Sequence, residues 1–388
     1  MQMKKILFVI KYPLDAPYTI KKKVDGQTAA AARMGLDVWQ TAYESRQACL
    51  LHNGRQQPVK RILLGRMPGY IHTKAFWDLF GSVLRSLRRQ KYDYAYMRHC
   101  PIGLKGFRML RRLHKSGCKT AVEIPSWPLE NERQKSLPRR LYWAYSQFWW
   151  KRAAKYVSLF ALIGAPADSC MGRPAVNIDN GVDVEAIPLR VHQPAEDGRL
   201  HFLAVAAMAR WHGFDRIIEG VAQLPQETRR QVIVDMVGSE GDGSLARWQQ
   251  LVQDRGLEEQ VIFHGYQTGD ALDALFAQAD VGVCSLGLHR NGYQVASHLK
   301  LREYAARGLP FLYSAEDPSL PEKTDFCLKI PADDSPVPME EAIAFARQMR
   351  SQPRIPRQMR AYAQQHMSWE KPMRTVLDLL AADPESSH

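Results

Sequence analysis

The sequence predicts an α/β protein with two Rossmann-like domains that face each other across a cleft, followed by a helical C-terminal tail. Two observations lead to this prediction. Apolar segments of strand length alternate with segments of helical periodicity along most of the 388 residues, which is typical of parallel sheets covered on both faces. The alternation is interrupted once, at the proline-bearing polar stretch IPLRVHQPAEDGR (187–199), which is the best candidate for a linker.

The N-terminal domain is predicted at residues 1–186 and begins with the strand KKILFVI. Helical periodicity is clearest at 74–90, where six large apolar residues lie on one face. The other strands are predicted at LDVWQTAY, 92–97, 119–124 and 156–163, and the other helices at 24–35, 103–115 and 138–154.

The C-terminal domain is predicted at residues 200–337, where the alternation starts again. Its strands are predicted at 200–205, 231–237, 260–263, 280–284 and 309–313, and its helices at 214–224, 244–256, 270–279 and 299–307. The tail at 338–388 is predicted to be helical as far as residue 382 and to pack back towards the N-terminal domain.

The composition is that of a soluble globular protein, with 45% hydrophobic and 24% charged residues. The first apolar run is too short for a secretory signal, and no run approaches the ~20 residues that cross a bilayer. The six cysteines form no C-x-x-C pair and no histidine lies at zinc spacing, so we expect reduced thiols and a cytoplasmic protein. We expect neither a metal nor a cofactor.

The charge is distributed unevenly along the chain. Residues 1–190 contain 33 Lys and Arg against 13 Asp and Glu, a net charge of +20, whereas residues 191–388 carry −7. This asymmetry predicts that the first half faces an anionic partner: nucleic acid, an anionic membrane surface or a phosphorylated substrate.

The predicted helix around RRLYWAYSQFWWKRAAKY (139–156) interleaves aromatic with basic residues. Such a helix can lie on an anionic membrane surface, with Trp143, Trp149 and Trp150 exposed. The alternative is a core helix with a solvated basic face. The +20 charge of this half favours the membrane.

Two segments of the second domain contain residues that suit a phosphate ligand. In VIVDMVGSEGDGSLARW (232–248), Gly238 and its neighbouring glycines let the backbone approach a phosphate or a base, although an ordinary strand-to-helix turn explains the pattern equally well. Arg210 and His212 follow the first strand, at the edge where an anionic ligand binds. The alternative is a surface arginine and a histidine at a helix start.

A third segment, SHLKLREYAARGLPF (297–311), places Lys300 and Glu303 on one face at the start of a helix. There the lysine can meet a phosphate, and the carboxylate can accept hydrogen bonds from two adjacent hydroxyl groups, as in a ribose. A surface ion pair followed by core packing is the alternative.

Two residues of the first domain are candidates for catalysis. Glu123 lies inside an apolar strand, where a carboxylate is costly unless it has a partner or a chemical role. His99 lies at the carboxyl end of the preceding strand. A structural role is the alternative for the histidine.

Taken together, these segments resemble the retaining glycosyltransferases of the GT-B fold, in the large group called family four. The resemblance is strongest over residues 200–315, where VDMVGSEGDG, VIFHGYQTGDALDALFAQADVGVCS and KLREYAARGLP occur in the order and at the spacing of that family's donor-binding domain. NGVD (180–183) is also similar to a family motif. YMRH and EIPSWPLENE look like a bacterial branch that makes surface polysaccharides.

The resemblance implies a metal-independent transfer of a sugar, with retention, from a nucleotide-diphosphate donor to a glycan or lipid-linked glycan. The implied pathway is capsule, exopolysaccharide or lipopolysaccharide synthesis, at the inner face of the plasma membrane. Glu303 matches the carboxylate that holds the ribose, and Lys300 and Arg210 would lie on the diphosphate. The implied donor-binding residues are Arg210, His212, Gly238, Gly265, Asn291, Gly292, Tyr293, Lys300 and Glu303.

Two of the departures from the family pattern concern the donor site. Val295 stands where the family has a second glutamate, so the loop HRNGYQ (289–294) must orient the donor sugar in another way. His212 stands where a lysine is commonest. These departures keep two alternatives open: a sugar-nucleotide epimerase of the same fold, and a non-catalytic sugar-nucleotide-binding protein. A nucleic-acid-binding protein is a third, but the chain contains no recognition motif for nucleic acid.

Overall fold

A computed structural model of the chain describes residues 3–14, 20–44, 47–57, 70–129, 137–321 and 324–382. The chain forms two compact units. Unit 1 comprises residues 1–183 and 369–388, and unit 2 comprises residues 184–368. The end of the EIPSWPLENE motif, at 130–132, and the end of the predicted tail, at 383–388, lie outside the described residues.

Unit 1 contains a nine-stranded sheet that is parallel except at its two edges. Its strands lie in the order β4-β3-β2-β1-β5-β6-β7-β9-β8. The strands are β1 (Lys5–Val9), β2 (Asp37–Glu44), β3 (Gln47–His52), β4 (Arg55–Gln57), β5 (Tyr94–Arg98), β6 (Lys119–Trp127), β7 (Leu159–Gly164), β8 (Ser169–Cys170) and β9 (Arg173–Asn177).

Five helices belong to the described part of unit 1. They are α1 (Lys21–Arg33), α2 (Tyr70–Ser86), α3 (Leu104–Lys115), α4 (Leu137–Ala153) and α12 (Glu370–Ala382). In α3, Gly106, Met109, Leu110 and Leu113 are buried and follow the period of one helical face, so this face packs into the core. The last helix returns to unit 1 because Trp369 packs against α1 and against Gly181, where a β-carbon would lie 2.7 Å from the indole ring.

Unit 2 contains a parallel six-stranded sheet with the order β12-β11-β10-β13-β14-β15. The strands are β10 (Leu200–Val205), β11 (Val232–Val237), β12 (Val261–Gly265), β13 (Val281–Val283), β14 (Phe311–Tyr313) and β15 (Cys327–Lys329). The helices are α5 (Asp215–Gln223), α6 (Gln226–Arg229), α7 (Ser244–Asp254), α8 (Gly269–Gln278), α9 (Leu299–Arg307), α10 (Met339–Arg350) and α11 (Ile355–His366).

This strand order reverses direction between β10 and β13, because the chain first adds β11 and β12 on one side of β10 and then crosses to the other side. In open α/β sheets, ligands bind beyond the carboxyl ends of the strands at such a reversal. The order in unit 2 is that of the Rossmann fold, so the predicted α/β class is confirmed.

The compact units differ from the predicted division of the chain. Residues 338–368, which form α10 and α11, pack with unit 2, and only the last helix belongs to unit 1. The stretch predicted as a linker is fixed to unit 2 at Arg190, whose guanidinium donates to the carbonyls of Ala279 (2.5 Å) and Gly308 (3.0 Å). In the part of the chain that the structure describes, no helix is long and apolar enough to cross a membrane.

Candidate functional site

Three loops of unit 2 meet at the carboxyl ends of β10, β11 and β13, and their backbones pack directly against one another. The amide of Met208 donates to Ser239 (2.7 Å), and the amide of Gly241 donates back to Met208 (3.0 Å). Gly238 has a φ of +147°, and a β-carbon there would collide with the carbonyl oxygen of Ala206. Glycine is therefore required at 238 for the first two loops to close.

The loops after β10 and β13 are joined in the same way. Gly213 has a φ of +65°, and a β-carbon on it would lie 2.5 Å from the amide nitrogen of Gly287. The amide of Leu286 donates to the carbonyl of His212 (2.7 Å). This close approach brings the side chain of His212 to the end of β13, at the reversal in strand order.

His212 and Lys300, predicted separately from two motifs, are brought together by the fold. The Nζ of Lys300 lies 2.9 Å from Nδ1 of His212, and the Oγ of Ser285 lies 2.8 Å from the same nitrogen. His212 and Ser285 are buried and Lys300 is half-buried. The Nζ of Lys300 also lies 5.4 Å from the ring centre of Phe214, so the cation rests on an aromatic wall.

Burial sets the protonation states of this pair. Burial, followed by the charge of Lys300, lowers the pKa of His212 well below 6.5, so the imidazole is neutral at physiological pH. Burial also lowers the pKa of Lys300 from 10.5 to about 7. His212 therefore acts as a neutral hydrogen-bonding base beside the lysine and not as a second cation.

Arg210 supplies a second cationic group at this edge. Its side chain is exposed, and its guanidinium has no hydrogen-bond or ion-pair partner among the residues that the structure describes. Its backbone amide donates to the carboxylate of Asp242 (3.1 Å), which ties the loop after β10 to the glycine loop after β11. The guanidinium is therefore available to an anion.

The loop that contains Asn291, Gly292 and Tyr293 is fixed by an arginine that the sequence reading did not single out. Arg290 pairs with Asp215 (2.7 Å) on α5 and with Asp334 (2.6 Å). Asn291 and Gly292 are exposed beyond this anchor, and Tyr293 is half-buried.

Glu303 lies one turn after Lys300 on α9. Its Oε1 accepts a hydrogen bond from Nε of Arg307 (3.2 Å), and Arg307 also pairs with Asp273 (2.7 Å). The Glu303 side chain is 23% exposed, so it reaches solvent. Gly265, a predicted donor-binding residue, ends β12. Its carbonyl accepts a hydrogen bond from the amide of Gly238 (2.8 Å), and its role in donor binding stays a prediction.

A buried ion pair that the sequence did not reveal fixes the start of α9. Arg302 makes two hydrogen bonds to the carboxylate of Asp317 (2.8 and 3.0 Å), and both side chains are fully buried. Asp317 also accepts from the backbone amide of His298, the residue that precedes α9 (2.9 Å). This pair positions the helix that presents Lys300 and Glu303.

In unit 1, Glu123 is held by four side chains. Its carboxylate is 2.8 Å from Nζ of Lys23, accepts from Nε2 of Gln27 (2.7 Å) and from the hydroxyl of Tyr96 (2.8 Å), and lies 3.4 Å from Arg98. Burial alone would raise its pKa, but the charges of Lys23 and Arg98 lower it to about 2. The carboxylate is thus ionised and fully hydrogen-bonded, which favours a positioning role.

His99 follows β5 and stacks on Trp150 at 4.9 Å between ring centres, with Trp143 at its edge. Burial, followed by the charge of Arg98, lowers the pKa of His99 to about 4. Its Nε2 is buried and has no hydrogen-bond partner in the described part of the chain. The catalytic roles of Glu123 and His99 stay predictions.

Helix α4 presents an apolar stripe to solvent, but with other residues than expected. The exposure predicted for Trp150 is wrong: it is fully buried and donates its indole N–H to Cys100 (3.0 Å). Trp143 and Trp149 are half-buried against the core. The exposed apolar residues recur at helical spacing and are Leu137 (67%), Leu141 (64%), Tyr145 (48%) and Phe148 (46%). Basic residues flank them, at Arg140, Lys151 and Arg152.

Part of unit 2 is similar to a known protein family. Residues 188–322 match the family described as "Glycosyl transferases group 1". This segment contains the glycine loop, Arg210, His212, Lys300 and Glu303. A search of curated proteins gives no significant match.

Among solved structures, sucrose-phosphate synthase from Thermosynechococcus elongatus aligns over 98% of both chains, with a TM-score of 0.68 and 15% identity. The chain has the GT-B fold. HepE from Anabaena, in complex with UDP and glucose, aligns over 98% of this chain and all of its own, with a TM-score of 0.60 and 15% identity. WaaG, a glycosyltransferase involved in lipopolysaccharide biosynthesis, aligns over 99% and 98%, with a TM-score of 0.54 and 17% identity.

Proposed function

We propose that this protein is a retaining, metal-independent glycosyltransferase that moves a sugar from a nucleotide-diphosphate donor to a glycan or lipid-linked glycan. The observation that carries the proposal is the contact between His212 and Lys300 at the reversal in strand order of unit 2, in a loop that also presents the exposed Arg210. This edge is where α/β sheets bind ligands, and the residues lie within the segment that matches a glycosyltransferase family.

The donor diphosphate is the ligand that best suits the two cations. Lys300 and Arg210 would bind its oxygens and neutralise the charge that develops on the leaving group as the bond to the sugar breaks. Gly238 would contribute indirectly, because it lets the glycine loop after β11 close against Ala206 beside the proposed diphosphate site. HepE, which shares the fold, has been solved with UDP and glucose, which supports a donor of this class.

Glu303 would accept hydrogen bonds from the ribose hydroxyls, with Arg307 holding the other side of its carboxylate. Asn291, Gly292 and Tyr293 would contact the donor sugar. The anchored loop provides exposed polar groups there, and Val295 offers no carboxylate. Glu123 would act as a positioning residue that fixes α1 against β5 and β6 of the acceptor-side unit.

The acceptor side would work at an anionic membrane surface. Residues 1–190 carry a charge of +20, and α4 combines an exposed apolar stripe with flanking basic side chains. A lipid-linked glycan at the inner face of the plasma membrane offers negative charge and an apolar surface together. Capsule, exopolysaccharide or lipopolysaccharide synthesis would be the pathway, and WaaG offers a precedent for the last of these.

The test begins with a thermal-shift screen of nucleotide sugars, followed by product analysis with the tightest-binding donor. Transfer or slow hydrolysis of the donor supports a transferase, whereas epimerised donor, or binding without turnover, would support the two alternatives and overturn the proposal. Arg210→Gln should weaken binding of the nucleoside diphosphate more than binding of the nucleoside. Arg230→Gln is the matched control, because this exposed arginine lies just before β11, at the opposite edge of the sheet.

A further inference from the structure

The contact between Lys300 and His212 is a hydrogen bond between two basic nitrogens, of which the lysine is normally a cation in water. Their nitrogens are 2.9 Å apart, and no carboxylate pairs with Lys300 in the described part of the chain. The surroundings of Nζ are instead aromatic, with Phe214 at 5.4 Å and Trp211 at 6.0 Å from the ring centres. A lysine in this position lacks an anion to balance it.

The geometry around His212 also contains a surplus of hydrogen-bond donors. A neutral imidazole whose Nε2 carries the proton has one lone pair at Nδ1. Both the ammonium or amine of Lys300 (2.9 Å) and the hydroxyl of Ser285 (2.8 Å) lie within reach of that lone pair. Ser285 can therefore replace Lys300 as the donor if Lys300 moves to another acceptor.

The other ionisable groups around Lys300 do not supply the missing negative charge. Burial raises the pKa of Cys284, at the end of β13, so it remains a thiol. His298, before α9, is a base and supplies no negative charge. Asp317 is already paired with Arg302 in the core. No carboxylate in the described ranges completes this cluster, and a bound anionic ligand would do so.

We propose that Lys300 takes up a proton from solvent when the donor diphosphate binds, moves its hydrogen bond from His212 to a phosphate oxygen, and leaves Ser285 to donate to His212. The inference rests on the proposed diphosphate site. The proton returns to solvent when the nucleoside diphosphate leaves after transfer, so no net proton is consumed. Arg210, charged at every pH of interest, binds the same diphosphate without a proton change.

Because Lys300 in the free protein has a pKa of about 7, it is mostly neutral at pH 8, and binding there should take up about 0.9 proton. The affinity should fall as the pH rises above 7, since the neutral form must first be protonated. Between pH 7 and pH 8.5 the expected loss is about 15-fold. The terminal phosphate of the ligand titrates near 6 and is ionised throughout this range.

Isothermal titration calorimetry on the full chain tests this, with UDP, GDP and ADP tried in turn and the tightest-binding nucleotide used. Titration at pH 8 in HEPES and in Tris, whose ionisation enthalpies differ, measures the number of protons taken up. The wild type should take up close to one. Lys300→Arg should take up almost none and keep one affinity at both pH values, because its charge is permanent. Arg210→Gln should bind more weakly but still take up the proton.

The outcomes separate this inference from the function on which it rests. Binding by the wild type without proton uptake, or equal uptake by Lys300→Arg, would overturn the inference and leave the glycosyltransferase proposal in place. Lys300→Met is a second variant for the case that Lys300→Arg does not fold. Its side chain fills the same apolar surroundings, and nucleotide binding by this variant should also take up no proton. If none of the three nucleotides binds, the proposed function is wrong and the inference falls with it.

Discussion

Replacing Glu123 with glutamine should destabilise unit 1 far more than it alters chemistry. The carboxylate is 1% exposed and lies 2.8 Å from Nζ of Lys23, whose side chain is 2% exposed. In Glu123→Gln the ammonium of Lys23 stays buried but loses the charge of the Glu123 carboxylate. Removing one partner of a buried ion pair typically costs about 3–5 kcal/mol of the free energy of unfolding.

The pKa of Glu123 leads to a contribution of similar size to the free energy of unfolding. A lowering from 4.5 to about 2 corresponds to about 3 kcal/mol of stability. Because the folded-state pKa is the lower one, this contribution is present in full above about pH 4.5 and is lost as the pH falls towards 2. For a unit of this size, the cost in Glu123→Gln should lower the melting temperature by roughly 10 °C.

Urea denaturation at pH 7 and pH 3 measures both effects. The difference in the free energy of unfolding between the wild type and Glu123→Gln should be smaller at pH 3, because the wild type has begun to lose the same interaction there. Combining it with Lys23→Met should restore much of the stability, since the double variant contains neither charge. Asp168→Asn, at an exposed carboxylate of the same unit, should stay within about 0.5 kcal/mol of the wild type. A Glu123→Gln variant as stable as the wild type but without transfer activity would refute this reasoning and support a catalytic carboxylate.

Three further changes test the proposed site and surface. Glu303→Gln should lower the affinity for the nucleoside diphosphate by on the order of tenfold and remove the protein's preference for the ribonucleotide over the 2′-deoxynucleotide. An unchanged preference would exclude Glu303 from the ribose site. Asn291→Ala and Tyr293→Phe should alter the ratio of turnover between donor sugars while the affinity for the nucleoside diphosphate stays constant; a constant ratio would contradict the assignment. In a sedimentation assay at low salt, the wild type should pellet with anionic vesicles, because each basic residue near the surface adds about 1 kcal/mol to the free energy of binding. A wild type that stays in the supernatant would contradict this. Binding should be lost on reversing the charge at three exposed positions of α4, Arg140, Lys151 and Arg152.

Much of the fold was predictable because local signals agree with the tertiary structure. The predicted bounds of β10 (200–205) and α9 (299–307) are those observed. Gly308 ends α9 with a φ of +71°, and a β-carbon there would press on Pro356 of α11, so one glycine both stops the helix and permits its packing. The hairpin of β3 and β4 was not predicted, because these edge strands depend on pairing with β2.

The candidate site was predictable as a set of residues but not as an arrangement. Lys300 and His212 are 88 positions apart, and nothing in either motif shows that they share a hydrogen bond. Arg302 lies between Lys300 and Glu303 in the sequence, yet its side chain is buried against Asp317. Its burial depends on a partner 15 residues away, which periodicity does not reveal. On α4, aromatic content indicated exposure, but the packing around His99 decided which tryptophan is buried.

The return of the last helix to unit 1 has a consequence for the order in which the protein is built. Unit 2 is one continuous stretch of chain, whereas unit 1 lacks Trp369 and α12 until they leave the ribosome. Until then, Gly26 of α1 and Gly181 have no indole ring to pack against, and the buried Lys23 lacks the ring that lies 5.4 Å from its Nζ. Domains generally fold as units, the N-terminal one first, during synthesis. Here the continuous second unit can complete its fold first, and the basic first unit waits for the final helix.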